Sequence, residues 1–275
     1  MDDRVALLGR IAIIGGGKMG EAIVAGLVNG AMFDPASIII ADPGEERREY
    51  LSDTYGISCV ADGARIAHPT TVLLAVKPQV LREVCASLRA APSFTPTRIV
   101  SIAAGITTAT LRSLFPEGAI IRVMPNAPLM VGAGMSTVCV SADTPRAEGE
   151  LVRELFSLMG DAVLLDESLI NAATALSGSG PAYFALFVEE LAKAGERAGL
   201  KPEDASLLAI QTLRGTARYL ELTEASPAEL RAAVTSPGGT TQAALETFEN
   251  TQAHGLSQLV TRAVEAALKR AEELA

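Results

Sequence analysis

The chain has 275 residues, 49% hydrophobic and 20% charged, which is enough apolar content for one large or two ordinary packed domains and too much for a disordered chain. Its formal net charge of -9, from 23 Lys and Arg against 32 Asp and Glu, leaves no basic stripe to displace counterions from a polyanion, so no nucleic-acid partner is expected. Cys59, Cys85 and Cys139 are odd in number and lie in apolar runs without CxxC or Cys/His spacing, which predicts reduced thiols, a reducing compartment and no metal site.

The opening "MDDRVALLGR" is acidic and leads directly into a strand pattern, unlike the basic head and cleavage site of a secretory leader. No apolar run is long enough to span a bilayer, so a cytoplasmic protein without membrane attachment is expected. Short β-branched runs then recur as "RIAII", "SIII", "TVLLAV", "RIVSI", "AIIRV", "TVCV" and "AVLL". Between most of them lie helical stretches such as "KMGEAIVAGLVNG" and "PQVLREVCASLRA". Strands apolar on both faces, alternating with helices, predict an α/β domain with a mostly parallel, doubly wound sheet over residues 1–166.

In "IIGGGKMG", Gly15, Gly17 and Gly20 take GxGxxG spacing after one strand and at the start of a helix. This order predicts a dinucleotide loop: the first glycine for the tight turn, the second for close approach of a pyrophosphate, the third for packing of helix on strand. Asp42 follows the next strand and could accept hydrogen bonds from a ribose 2′-hydroxyl, whereas Arg47 and Arg48 could attract a 2′-phosphate. These signals oppose one another, and Asp42-Pro43-Gly44 also reads as an ordinary turn. Beyond later strands, "AVKP" (residues 75–78), "SIAAGI" (101–106) and "RVMPNAP" (122–128) occupy positions where an open parallel sheet binds its ligand, although each also reads as a strand-to-helix turn.

After Asp166 the strand signal ends, and residues 167–275 read as an all-α region broken by Gly/Pro clusters. Gly199 closes one helix, Pro202 with Glu203 and Asp204 opens the next, and Ser226-Pro227 opens another. Its long Ala-rich windows carry more apolar surface than a small bundle buries alone, which predicts dimerisation, with packing onto the first domain as the alternative. "LSGSGPAYF" interrupts this region with small residues and can open a helix at Pro181 or permit a close helix crossing. "VTSPGGTT" resembles a second anion cradle, in which Ser236 and Thr241 supply hydroxyls and N–H groups around Gly238 to Thr241 converge; the same loop also reads as a plain N-cap through Thr240.

Taken in order, "IGGGKMGEAI", "LLAVKPQ", "SIAAGI", "RVMPNAP", "ALSGSGPAY" and "VTSPGGTT" resemble the pyrroline-5-carboxylate reductase family across nearly the whole chain, and the last two are the specific ones. The resemblance implies a Rossmann domain, a helical dimerisation domain, dimers often assembled into rings, and reduction of a cyclic imino acid to proline by NADPH or NADH. By resemblance, Ser236, Gly238, Gly239, Thr240 and Thr241 hold the substrate. The carboxylate lies on the backbone N–H groups and Ser236, and Thr241 donates toward the ring nitrogen. The same similarity assigns Ile14, Gly15, Gly16, Gly17, Lys18, Met19 and Gly20 to the dinucleotide phosphates and Ala75, Val76, Lys77, Pro78, Ala103 and Ala104 to the length of the cofactor. Met124 and Asn126 fall near the nicotinamide, and Glu167 near its carboxamide. Gly20 stands where the family commonly has Ala, Lys18 where it has a neutral polar residue, and Asp62 where an Asn often lies near the adenosine ribose. Asp62 with Asp42 would oppose a 2′-phosphate.

A protonated imine is already electrophilic and its reduction gives an amine, so alignment matters more than a strong base. This suits a chain with two histidines, His68 and His254, neither of them in a motif. A β-hydroxyacid dehydrogenase would need a general base, and Lys193, the nearest lysine after "SGSGP", is thirteen residues beyond Gly180, too far for that pattern. A non-catalytic dinucleotide sensor would need the glycine loop but no second anion cradle.

Overall fold

The computed structural model describes residues 5–30, 33–250 and 255–274; His254 lies outside them. The β-branched runs become strands β1 (Ile11–Ile14), β2 (Ile38–Ala41), β4 (Thr71–Leu74), β5 (Arg98–Ser101), β6 (Ala119–Met124), β7 (Gly134–Val140) and β8 (Gly160–Leu164). β3 (Ser58–Val60) is a further strand that the hydrophobic pattern does not announce: it is three residues long and partly exposed. Among the described residues these form one sheet in the order β3-β2-β1-β4-β5-β6-β7-β8, in which β6 and β7 pair antiparallel and all other neighbours run parallel.

Alternation along the strands divides the core in two. Ile11, Ile13, Ile38, Ile40 and Leu73 point to one face and pack with Ile23, Val24 and Leu27 of α1 (Lys18–Asn29) and with Leu151, Val152, Leu155 and Phe156 of α5 (Arg146–Ser157). Ala12, Ile14, Ile39, Val72 and Leu74 point to the other, against Leu81, Cys85 and Leu88 of α3 (Pro78–Ala90) and Leu111 of α4 (Thr108–Leu114). Since α1 and α3 leave the adjacent strands β1 and β4 on opposite faces, a crevice opens beyond the carboxyl ends of that pair. α2 (Glu45–Tyr55) makes the crossover from β2 to β3, and its buried Leu51 joins the first of these clusters.

The chain divides into two compact units, one running to Ser179 and including the residues from Leu268 onward, the other Gly180–Ala267. The first ends in helix α6 (Ile170–Ala173), which passes into a wider π-turn over Thr174–Gly178. The small residues of "LSGSG" therefore widen a helix; the next one, α7 (Gly180–Arg197), starts one residue before Pro181.

In the second unit α7 pairs with α8 (Pro202–Thr223), and Gly199 takes a left-handed φ of 100° between them. The two helices approach closely at Gly195, where a Cβ would stand 3.3 Å from that of Ala205. α9 (Pro227–Ala233) starts with a complete capping box between Ser226 and Glu229. α10 (Thr240–Glu249) follows, with Phe248 lying 6.1 Å from Phe187 of α7 between ring centroids, and then α11 (Leu256–Leu274), of which the part up to Ala267 belongs to this unit. Phe184, Leu186, Leu207, Leu208 and Ile210 remain exposed, so this unit presents apolar side chains outward, where the first presents few. The architecture found is thus the expected Rossmann-type sheet followed by a helical region. No helix among the described residues is long and apolar enough to cross a membrane.

Candidate active site

Register places the glycine loop and the later turns along one edge. Ile14 lies beside Ala41 and Leu74, Leu74 beside Ser101, and Ser101 beside Arg122, so Gly15, Asp42, Ala75 and Ile102 leave the sheet at neighbouring strand ends, while β6 runs two residues further, to Met124. Gly15 has φ 110°, and a Cβ there would stand 2.7 Å from the Ala75 carbonyl oxygen. A Cβ on Gly20 would come 2.1 Å from the Gly15 oxygen. A Cβ on Gly17 would meet nothing within 4 Å, which leaves the face of the loop open to a close-lying group. Gly17 is also the N-cap of α1 and supplies no side-chain bond, so the helix directs its first N–H groups outward with the positive end of its dipole. Lys18 is exposed at the first helical position, and Met19 packs against the core. The loop fits a pyrophosphate.

The end of β2 is more constrained than the sequence suggested. Asp42 Oδ2 accepts the Gly16 N–H at 2.8 Å and Oδ1 accepts the Gly44 N–H at 2.9 Å, so this residue makes the turn and braces the glycine loop as well. Arg47 donates through Nε to the Gly16 carbonyl and pairs with Glu21, which also accepts from Tyr50 and Tyr55. Arg48 Nη1 donates to the carbonyls of Asp42 at 2.9 Å and Pro43 at 2.8 Å. Asp62 is the N-cap of a short turn over Gly63–Arg65, accepting the Ala64 N–H at 2.9 Å.

Further along the edge, Ala75 and Val76 are half-buried, Lys77 is the exposed N-cap of α3, and Pro78 is its first residue. Ala103 is buried and Ala104 exposed. Met124 is half-buried, while Asn126 is buried and engaged at both ends: Oδ1 accepts the Met135 N–H at 2.8 Å, and Nδ2 donates to the Ser177 carbonyl of the π-turn at 3.0 Å. Glu167 is likewise occupied. Its carboxylate accepts from Thr108 N at 2.8 Å, Thr108 Oγ1 at 2.5 Å and Arg122 Nη1 at 3.0 Å. Asn126 and Glu167 therefore hold the turns beyond β5 and β6 in place. Arg122, 5% exposed at its side chain within an apolar strand, is the clue the sequence carried, because a buried guanidinium needs a counter-charge.

The second cradle lies in the helical unit. Gly239, not Thr240, is the N-cap of α10 and makes no side-chain cap bond; Thr240 is the first helical residue. The Gly238 N–H donates to Gln242 Oε1 at 2.7 Å, and the Gly239 N–H to the Ser236 carbonyl at 3.0 Å. The donors this mouth directs outward are thus those of the first turn, beginning at Thr240, because the glycines themselves shape the loop. Ser236 is exposed and Thr241 half-buried. By contrast, α4 and α9 are capped by their own Thr107 and Ser226.

Residues 167–274 match the family model described as pyrroline-5-carboxylate reductase dimerisation, and residues 10–105 one described as NADP oxidoreductase coenzyme F420-dependent. A pyrroline-5-carboxylate reductase of Synechocystis is 42% identical over 96% of this chain and 98% of its own length. The Pseudomonas aeruginosa protein of that name is 42% identical over 97% of each. Among solved structures, the Coxiella burnetii pyrroline-5-carboxylate reductase superposes with a TM-score of 0.91 at 34% identity, covering 98% of this chain and 99% of that one. A Plasmodium falciparum pyrroline carboxylate reductase with NADP bound superposes with a TM-score of 0.81 at 26% identity, covering 98% of each.

Proposed function

This chain belongs to the pyrroline-5-carboxylate reductase family, and on that premise we propose how its residues carry out the NAD(P)H-dependent reduction of 1-pyrroline-5-carboxylate to L-proline. The observation that carries the proposal is a pair of helix mouths, α1 behind Gly17 and α10 behind Gly239, neither capped by its own side chain. α2, α3, α5 and α8 also lack a side-chain cap, but α1 and α10 each open behind a run of glycines, and two such mouths suit two anions, a dinucleotide pyrophosphate and a small carboxylate.

We assign residues 1–166 to the dinucleotide and 167–275 to substrate binding and self-association. Gly15 to Gly20 hold the pyrophosphate, Ala75 to Pro78 with Ala103 and Ala104 border the cofactor, and Met124 borders the nicotinamide. Reduced nicotinamide supplies the hydride. The first-turn N–H groups of α10 and the Ser236 hydroxyl receive the substrate carboxylate, and the Thr241 hydroxyl faces the ring nitrogen, accepting from its N–H in the protonated imine and donating to its lone pair once it is an amine, which fixes which ring face is presented. Anchoring the acid at one end and the nitrogen at the other lowers the orientational cost of the hydride step without a titrating base. Asn126 and Glu167, engaged by the chain itself, act by positioning the strand-end turns.

The dehydrogenase alternative loses ground at Lys193. This exposed ammonium donates to Glu189 at 2.6 Å and Glu190 at 2.9 Å; those bonds raise its pKa and keep it charged, the wrong state for a general base. The chain self-associates through its helical half, and we place further assembly into a ring of dimers, and a cytoplasmic location, with the same reading. Following NADH and NADPH oxidation with pyrroline-5-carboxylate, with a ketoacid as control, tests the activity; oxidation with the ketoacid alone would reject it. Thr241→Ala should lower turnover of the imino acid at least about tenfold, the scale of one hydrogen bond to a charged group, and leave dinucleotide affinity unchanged. Parallel loss of both would remove Thr241 from the proposed role.

A further inference from the structure

The turn beyond β2 holds a carboxylate against the glycine loop. Each Asp42 oxygen is pinned by one backbone N–H, from Gly16 at 2.8 Å and Gly44 at 2.9 Å, so the carboxylate cannot swing away from the edge of the glycine loop. A Cβ on Gly16 would come within 3.0 Å of Oδ2, which shows how closely acid and loop are packed. A carboxylate has about four acceptor sites, so each oxygen keeps one for a further donor. That pattern matches two neighbouring ribose hydroxyls, each able to donate. It opposes a 2′-phosphate, which brings negative charge and no donor to the same place.

The cations that could reverse this are engaged. Arg47 is bound to the Gly16 carbonyl and neutralised by Glu21, which Tyr50 and Tyr55 hold in turn. Arg48 is turned onto the carbonyls of Asp42 and Pro43. Glu45 and Glu46 occupy the first turn of α2 and Asp62 caps the turn beyond β3, so with Asp42 four carboxylates stand here against the guanidiniums of Arg48 and Arg65. Lys18 stands in the pyrophosphate loop, where its charge serves both dinucleotides alike.

We propose that Asp42 makes this protein select the dinucleotide with free ribose hydroxyls, NADH, over its 2′-phosphorylated counterpart. The inference rests on the assignment of Gly15 to Gly20 to a dinucleotide. Dissociation constants of NADH and NADPH, measured on the full-length protein by titration calorimetry without substrate, test it. NADH binds more tightly by about tenfold or more, the scale of one hydrogen bond to a charged group. Asp42→Ser, and the closer isostere Asp42→Asn, reduce that ratio by a similar factor while circular dichroism stays unchanged. Equal or tighter binding of NADPH by the unaltered protein overturns the proposal, and that comparison stands even if both variants misfold. A ratio unmoved in folded variants removes Asp42 as its cause and overturns it too. Failure of the folded protein to bind either dinucleotide refutes the assignment of the glycine loop, and the selectivity falls with it.

Discussion

The two units of this chain satisfy their apolar surface in opposite ways. In the α/β unit, β1, β2, β4 and β5 are buried at every residue and covered by helices on both faces. In the helical unit, Leu207 is 66% exposed, Leu222 66% and Phe184 60%, and among the described residues of α8 only Ala205 and Ala209 are buried. The first closes its core within one chain. The second leaves a face that a second copy covers, in keeping with its match to a dimerisation model.

The strongest way to break this contrast is to charge the exposed face. The pair Leu207→Glu and Ile210→Glu should convert the protein to monomers in sedimentation velocity and abolish imine reduction, while leaving the α/β unit folded; an unchanged sedimentation coefficient would show that α8 is not the covered face. Ile13→Ala makes the complementary cut. It should cost about 2–5 kcal/mol in denaturant unfolding, as for other buried large-to-small changes, without altering the subunit mass seen in sedimentation. Glu167→Gln weakens the clamp on Thr108 and on buried Arg122, with an expected loss of about 1–3 kcal/mol. Its signature is a lower turnover at unchanged dinucleotide affinity, and loss of that affinity instead would mean that Glu167 contacts the cofactor directly.

Two smaller effects sharpen the comparison, because their probes lie only in the α/β unit. Burial raises Cys85 to about 11 and, with help from Glu167, Cys139 to about 12, so both should react with a thiol reagent at pH 8 only as fast as the unit opens. Immediate labelling of either would deny the closed core. For Glu21, burial raises the pKa, but hydrogen bonds from Arg47, Tyr50 and Tyr55 outweigh it and the net shift is downward. A depressed carboxyl stabilises the fold above its unfolded pKa, and that contribution disappears as pH falls through the folded value. Glu21→Gln should therefore flatten the acid limb of the stability profile slightly, by well under about 1 kcal/mol at a pair still reached by solvent.

Much of the α/β unit was legible, because strands apolar on both faces leave an unmistakable run of Ile, Val and Leu, and the glycine spacing marks the crevice. β3 was not, since three half-covered residues carry no period. Nor was the π-turn at Thr174–Gly178, where small residues read equally well as a break. The engagement of Arg122 with Glu167 and of Asp42 with Gly16 joins residues 45 and 26 positions apart, a matter of tertiary packing that local pattern does not encode. In the second cradle the residue types were readable, but the use of the Gly238 and Gly239 N–H groups within the loop itself was not, because it depends on the left-handed turn at Gly238.

Gly20, whose missing side chain lets α1 rest on the Gly15 carbonyl, has a consequence for how this enzyme could be retuned. Neither residue owns a rotamer, so the depth of this crevice is set by main chain alone, and under the proposed assignment it is a fixed gauge for the diphosphate bridge common to both nicotinamide carriers. Under that assignment adaptation toward one carrier or the other is free to proceed at the ribose end, and a designer testing it should work between β2 and α2 and leave the glycines untouched.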